Sequence, residues 1–463
     1  MLDKAIARDV LDAALSTGGD FAEIFLEDRR NNTLILQNDR LETVNSGRIH
    51  GAGVRIYVGL NAVYAYTNDT TRDGLLRCAA QAASAVRAQK TGLVKAQPLT
   101  VMDVPNVHII RQKPSETAAR RKADMLRCAN AAARAAGSEV AQVVCSLRDS
   151  EQDVVICNSD GLYVTDNRTY TRMGCQVVAS NGAENQSAFE GPGAMMGFEL
   201  FDGRVDPAAY GAKAAQTALT MLHAPECPSG VMPVVIDNGF GGVIFHEACG
   251  HSLEATSVAF GMSEFCDKLG QQIAAPCVTA IDDGTLPNEW GSESVDDEGT
   301  PTTKLVLIEN GVLKNYMIDR LNGKRMGMAP TGSARRESYA YAPTSRMRNT
   351  YIAAGNDDNA QIISTMGDGL YAAKMGGGSV NPATGEFNFA VQEGYLVKDG
   401  KISTPVRGAS LIGKGAEVLM KIDRVGRDMQ MSQGMCGSLS GSVPTNVGQP
   451  MIRVSSMTVG GRA

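Results

Sequence analysis

Pro225-Glu226-Cys227-Pro228-Ser229-Gly230 separates two halves of unlike character. Two prolines and a glycine so close together interrupt any helix or strand. Upstream, helical and strand-like patterns alternate. Downstream, glycine becomes frequent, apolar runs shorten, and turn signals recur at Asp283-Gly284, Glu309-Asn310-Gly311, Asp368-Gly369 and Lys398-Asp399-Gly400. Mixed elements followed by mostly strands predict an α+β protein rather than a doubly wound one. At 463 residues the chain is too long for one ordinary core. We therefore expect two domains: an N-terminal α/β domain over 1–225, with helices and a mixed or antiparallel sheet, and a β-rich C-terminal domain over 226–463.

Moving back from the break, the patterns predict a helix over 206–224 and strands near 140–147, 151–158, 161–167 and 169–180, with Asp160-Gly161 as a hairpin turn. Ala/Arg-rich helices are expected over 71–90 and 115–136. Earlier still, a strand begins at 22–27. Residues 33–37 and 41–44 read as a hairpin around Asn38-Asp39, and 53–58 and 62–67 as another through Gly59-Leu60-Asn61. The chain opens on an amphipathic helix whose apolar stripe is Leu2, Ile6, Val10, Leu11 and Leu15, stopped by Thr17-Gly18-Gly19. Charges run through it, so it does not read as a signal peptide. Moving forward, 231–236 reads as a buried strand and 240–258 as one helix.

Hydrophobic residues make up 43% and charged residues 20% of the chain, an ordinary globular balance. The net charge of −6 gives no bulk attraction to nucleic acid or anionic lipid, and neither is expected as a partner. The ten cysteines include no CxxC pair and several lie in apolar runs. They read as reduced thiols of a cytoplasmic protein. No stretch approaches a membrane span.

The helix over 240–258 contains His246-Glu247-Ala248-Cys249-Gly250-His251, an HExxxH pattern that uses two of only five histidines. In the familiar HExxH, histidines at i and i+4 share a helix face and the glutamate activates water. At i and i+5 on a regular helix the side chains diverge by about 140°. Both can face one metal only if the helix widens, so a π-type irregularity is expected across 246–251, eased by Gly250. The plain alternative is a pair of satisfied core histidines. A catalytic zinc takes three protein ligands. His223, Cys249, Glu254 and Cys436 are the third-ligand candidates, Cys436 standing in what reads as a glycine-rich, flexible loop. Spacing does not choose among them.

Here the chain resembles the TldD/PmbA family of zinc metalloproteases. The resemblance rests on GGVIFHEACGHSLEA at 241–255, the Asp282-Asp283-Gly284 turn, IENGVLKNYMIDR at 308–320 and RESYAYAPTSRMRNTYI at 336–352. It continues in GGGSVNPATGEFNF at 376–389, PVRGASLIGKG at 405–415 and MCGSLSGSVPTNVGQP at 435–450. It implies one zinc ion per chain on His246, His251 and Cys436, with Glu247 as base. It also implies dimers, either a homodimer or a heterodimer with a family partner subunit.

The expected activity is hydrolysis of peptide bonds in short or unfolded polypeptides. The alternative is a non-catalytic polypeptide-binding regulator or partner subunit, against which the intact metal residues argue. Arg346, Tyr351, or the backbone N–H groups of Gly376, Gly377 and Gly378 could stabilise an oxyanion. The plainer readings are a structural ion pair for Arg346 and a tight turn for the glycines. Trp290, the lone tryptophan, reads as loop packing before peptide contact. No Walker-type phosphate loop is present.

Overall fold

A computed structural model describes residues 2–86, 94–381 and 384–461. It is a multi-domain α+β fold. The N-terminal half is built on an eight-stranded sheet of order β3-β2-β1-β5-β6-β4, with β7 and β8 also paired to β6. Its strands are β1 (Phe21–Gln37), β2 (Arg40–Val58), β3 (Asn61–Thr67), β4 (Thr100–Val101), β5 (Val140–Asn158), β6 (Leu162–Ser180), β7 (Asn185–Glu190) and β8 (Gly193–Ala194). The sheet is mixed, since β4 runs parallel to β6 while β1, β2, β5 and β6 are antiparallel. Helices α1 (Lys4–Leu15) and α2 (Arg72–Ser84) share one apolar core with β1 and β2; α3 (Ala119–Ala135) and α4 (Pro207–His223) share another with β5 and β6. Of the helix expected over 71–90, residues 87–90 lie outside the described residues.

Turn chemistry explains the hairpins. Asn38 and Asp39 both take positive φ between β1 and β2, and Gly161 does so between β5 and β6. These left-handed conformations favour Asn, Asp and Gly. The four strands expected between 140 and 180 are in fact two, β5 and β6, paired from Val140↔Ala179 to Cys157↔Tyr163. Asp149, Gln152, Asp166 and Arg168, polar residues at or near the ends of the expected strands, are buried mid-strand. There they face the C-terminal half or the α3 lysine Lys122, so their polarity marks contacts rather than turns.

The C-terminal half holds two larger sheets. One has order β16-β9-β23-β19-β17-β18, with β20 on β23, from β9 (Gly230–Ile236), β16 (Gly369–Val380), β17 (Glu386–Lys398), β18 (Lys401–Val406), β19 (Ser410–Lys414), β20 (Ile422–Val425) and β23 (Ile452–Gly460). The other has order β12-β11-β10-β15-β22-β21, from β10 (Ala280–Asp283), β11 (Lys304–Glu309), β12 (Val312–Leu313), β15 (Asn349–Ile352), β21 (Gln430–Ser438) and β22 (Gly441–Gln449). A short pair, β13 (Ala334–Arg335) and β14 (Thr344–Ser345), lies beside them. One continuous core joins both sheets to the segment that carries the histidines. No helix among the described residues is long and apolar enough to cross a membrane.

The two halves meet through buried charges. Arg55 on β2 bridges Glu23 and Glu298 at 2.7 and 2.6 Å. Arg336 reaches the other oxygen of Glu23 at 2.8 Å. Arg168 on β6 contacts Asp297 at 2.7 Å and Glu293 at 3.4 Å, and Glu293 also receives Arg335 and Arg348. Burial disfavours the Glu293 carboxylate, but Arg168, Arg335 and Arg348 outweigh it and hold its pKa below the usual range. A depressed folded pKa gives stability that is present above the ordinary carboxylate pKa and lost as pH falls below it. Removing one partner strands the others, so Glu293→Ala should cost about 3–5 kcal/mol. Urea denaturation should show a lower midpoint for the variant at pH 7 and convergence with the wild type as the solution is acidified. An unchanged midpoint at pH 7 would refute this role.

Candidate metal centre

The expected helix over 240–258 is instead a chain of short helical pieces. Gly239–Gly242 is 3-10, Val243–Phe245 is α, His246–Gly250 is π, His251–Leu253 is 3-10 and Ala255–Val258 is α. Glu254 is extended and ends the run before the last piece. Continuous apolar spacing suggested one helix, but the wide turn and the extended Glu254 break it. The π turn falls where the i, i+5 spacing requires it: the His251 N–H donates to His246 O. It sets the two imidazoles 5.1 Å apart and nearly perpendicular. Gly250 is needed sterically, because the buried Met347 side chain occupies the space its Cβ would fill.

Cys436 stands on β21, not in a flexible loop. Its strand pairs with β22 residue by residue, Cys436 opposite Val443, and the turn comes later at Leu439-Ser440. Gly434 and Gly437 suggested a loop by composition; the ladder bonds hold them extended. Arg346, Trp290 and Arg172 also hold this hairpin. Arg346 Nη2 donates to Cys436 O, and its Nη1 to Ser440 Oγ and Gly441 O. Trp290 Nε1 donates to Gly434 O at 2.8 Å. Arg172 Nη2 donates to Gln433 O, also at 2.8 Å.

These elements bring donor atoms of His246, His251 and Cys436 within 4.8 Å of one another. Cys436 Sγ lies 3.4 Å from His251 Nε2. His251 Nδ1 contacts Glu254 Oε2 at 3.1 Å, which directs Nε2 toward the thiol. Glu247 Oε2 lies 3.8 Å from His251 Nε2, and the Glu247 side chain is 32% exposed. Burial opposes ionisation of Cys436, but His246 and His251 outweigh it and pull its pKa down to about 3. Burial likewise disfavours a charged His251, yet Glu254 and Cys436 raise its pKa well above the usual value. A metal ion would take the place of that proton.

The donor set fits zinc. Two imidazoles and a thiolate suit it better than magnesium or calcium, and three ligands leave a position open. His246 Nδ1 is buried with no hydrogen-bond partner among the described residues.

The other residues singled out from the sequence lie elsewhere or act differently. His223 ends α4 and pairs with Glu139 at 2.7 Å. Cys249 is buried, and burial drives its pKa well up. Glu254 orients His251. Arg346 is fully buried, with both terminal nitrogens on the β21–β22 hairpin. Tyr351 is buried on β15 opposite Ile281, its pKa pushed up to about 12 by burial and by Asp283 and Asp282. Gly376, Gly377 and Gly378 lie in a bulged part of β16 rather than in a tight turn. Trp290 packs edge-on against Tyr170. The anchoring of β21 by Arg172 and Trp290 carried no sequence signal, because the contacts span 261 and 144 residues.

Known proteins resemble the chain along its length. Family models match at 22–86 ("PmbA/TldA metallopeptidase domain 1"), 112–222 (the central domain) and 229–461 (the C-terminal domain). A "Metalloprotease TldD homolog" of Buchnera aphidicola is 34% identical over 450 residues, covering 96% of this chain and 93% of the relative. One of Haemophilus influenzae is 34% identical over 452 residues with the same coverage. A "Zinc metalloprotease TldD homolog" of Saccharolobus solfataricus is 33% identical over 245 residues, 52% of this chain and 54% of the relative. Among solved structures, TldE from Thermococcus kodakarensis superposes with a TM-score of 0.77 at 18% identity, covering 98% of this chain and 99% of that one. A Thermotoga maritima protein described as a candidate modulator of a DNA gyrase gives 0.81 at 21%, also covering 98% and 99%. At such identities the solved structures speak for the fold. The three domain matches and the full-length relatives speak for descent, and the chain belongs to the PmbA/TldD metallopeptidase family.

Proposed function

We propose that this protein is a zinc metallopeptidase that hydrolyses peptide bonds in short or unfolded polypeptides. In this reading His246, His251 and Cys436 hold one zinc ion per chain and Glu247 is the general base. The observation that carries it is the convergence of three zinc-type donors within 4.8 Å, beside a glutamate, in a chain of metallopeptidase descent.

When bound, zinc supplies Lewis acidity and lowers the pKa of its water to about 7. Glu247 accepts the proton of the attacking water and delivers it to the leaving amine. Its partial exposure suits a group that must meet substrate. Glu254 fixes the His251 ring and its tautomer. Arg346 and Trp290 keep the Cys436 strand in place. His246 and Cys436 are only 3% and 5% exposed, which favours an extended chain over a folded protein as substrate. Ten free cysteines and a thiolate ligand suit a reducing cytoplasm. A division near residue 225 and a dimer, of two copies or with a family partner, belong to the same proposal.

Elemental analysis and cleavage of an unstructured peptide test it together. Wild type should carry about one zinc per chain. Cys436→Ala should lose both metal and cleavage. Glu247→Gln should keep its zinc while cleavage falls by about 10²–10⁴-fold. Zinc bound by wild type with no cleavage of any peptide would instead favour a non-catalytic polypeptide-binding subunit.

Glu254→Gln addresses orientation. Competition with a chromogenic chelator should show zinc held about 10–100-fold more weakly. Unchanged affinity would remove Glu254 from this role.

A further inference from the structure

A cavity of about 430 Å³ lies between the N-terminal sheet and the β21–β22 hairpin. That volume is in the range of small-molecule sites. Its floor is the face of β1, β5 and β6. The register sets Arg29, Gln152 and Arg168 in one row across these strands, and Thr33, Arg148 and Arg172 in another. The row between them is neutral. The opposite wall includes Trp290, Met435 and Pro444. Met435 precedes Cys436, so the cavity lies against the strand that carries the thiol, with alternate side chains on opposite faces.

The charges in this cavity do not balance. Arg148 and Arg172 are direct cross-strand neighbours, an arrangement that is destabilising for like charges. Among the described residues neither forms an ion pair, and neither does Arg29. Arg29 and Arg172 donate instead to the carbonyls of Glu337, Gly191 and Gln433. Arg29 Nε is buried with no hydrogen-bond partner among the described residues. Burial and Arg148 pull the pKa of Arg172 down to about 10. Of the three carboxylates on the walls two are paired with cations, and Glu337, which forms no ion pair among the described residues, sets one negative charge against three unpaired guanidiniums. Asp149 holds Lys122 at 2.7 Å, Glu293 holds Arg335 and Arg348, and Glu337 Oε2 accepts the Ser442 N–H at 2.7 Å.

We propose that this cavity is a binding site for a small ligand bearing an oxyanion, carboxylate or phosphate, seated among Arg29, Arg148 and Arg172. Planar guanidinium groups match either oxyanion in two-point contacts. The site is separate from the metal donors and does not depend on the peptidase reading.

Trp290, the only tryptophan, lines this cavity, with the Arg172 guanidinium 5.5 Å from its ring centre. Its fluorescence therefore reports occupancy without any activity assay. The full-length protein is titrated at constant ionic strength with inorganic phosphate, with N-acetyl-trialanine free acid and with the corresponding amide. The expected result is a saturable change with phosphate or with the free acid, and none with the amide. Whichever of the two saturates identifies the source of the oxyanion. Arg148 is exposed and free of ion pairs, so Arg148→Ala should fold normally and bind about tenfold more weakly. Arg148→Lys should recover only part of that loss, because an ammonium keeps the charge without the two-point contact. Absence of saturation with both anions, an amide as effective as the acid, or unchanged affinity in Arg148→Ala would overturn the proposal.

Discussion

Arg346-Met347-Arg348 is a fully buried tripeptide on which the metal centre and the contact between the two halves both depend. Arg346 grips the hairpin that carries Cys436. Met347 fills the space left by Gly250 in the π turn that carries the histidines. Arg348 anchors Glu293, which also receives Arg168 from the N-terminal sheet. A guanidinium taken out of water is expensive unless its hydrogen bonds are met, so each partner has little freedom. Donor atoms from positions far apart in sequence are thereby held within 4.8 Å of one another.

The same constraint explains why polar residues run through the middle of β5 and β6. A sheet facing only an apolar layer would bury hydrophobic side chains there. Here it faces the arginine-rich segment around 335–348, so Glu23, Arg55, Asp166 and Arg168 are buried and paired. Where pairing stops, at Arg148 and Arg172, the guanidiniums turn to a cavity instead. One strand, β21, borders both the candidate metal donors and that cavity, and its carbonyls are fixed by Arg346, Trp290 and Arg172.

Much of the architecture was legible because it rests on local physics. Asn38-Asp39 and Asp160-Gly161 announced their hairpins through backbone conformations that few residues tolerate. The apolar stripe of the first helix and the Pro225–Gly230 break were equally local. The five-residue spacing of His246 and His251 required a π turn, since a regular helix would point them apart. The single helix over 240–258 does not survive because apolar spacing does not show where the extended Glu254 interrupts it, and the loop around Cys436 does not because composition does not show which glycines sit in turns and which in a ladder.

The sequence by itself determined the α+β class, the position of the metal-type histidines and the need for a widened turn, because these follow from periodicity, turn chemistry and residue spacing. Only the tertiary structure decided the rest. It brought Cys436, rather than His223 or Cys249, to the two histidines, and gave Glu254 its contact to the far side of one ring. It turned Arg346 into a hairpin anchor and left Arg148 beside Arg172 without an ion pair among the described residues. Those outcomes depend on strand register and on packing between segments distant in the chain, which no local pattern encodes.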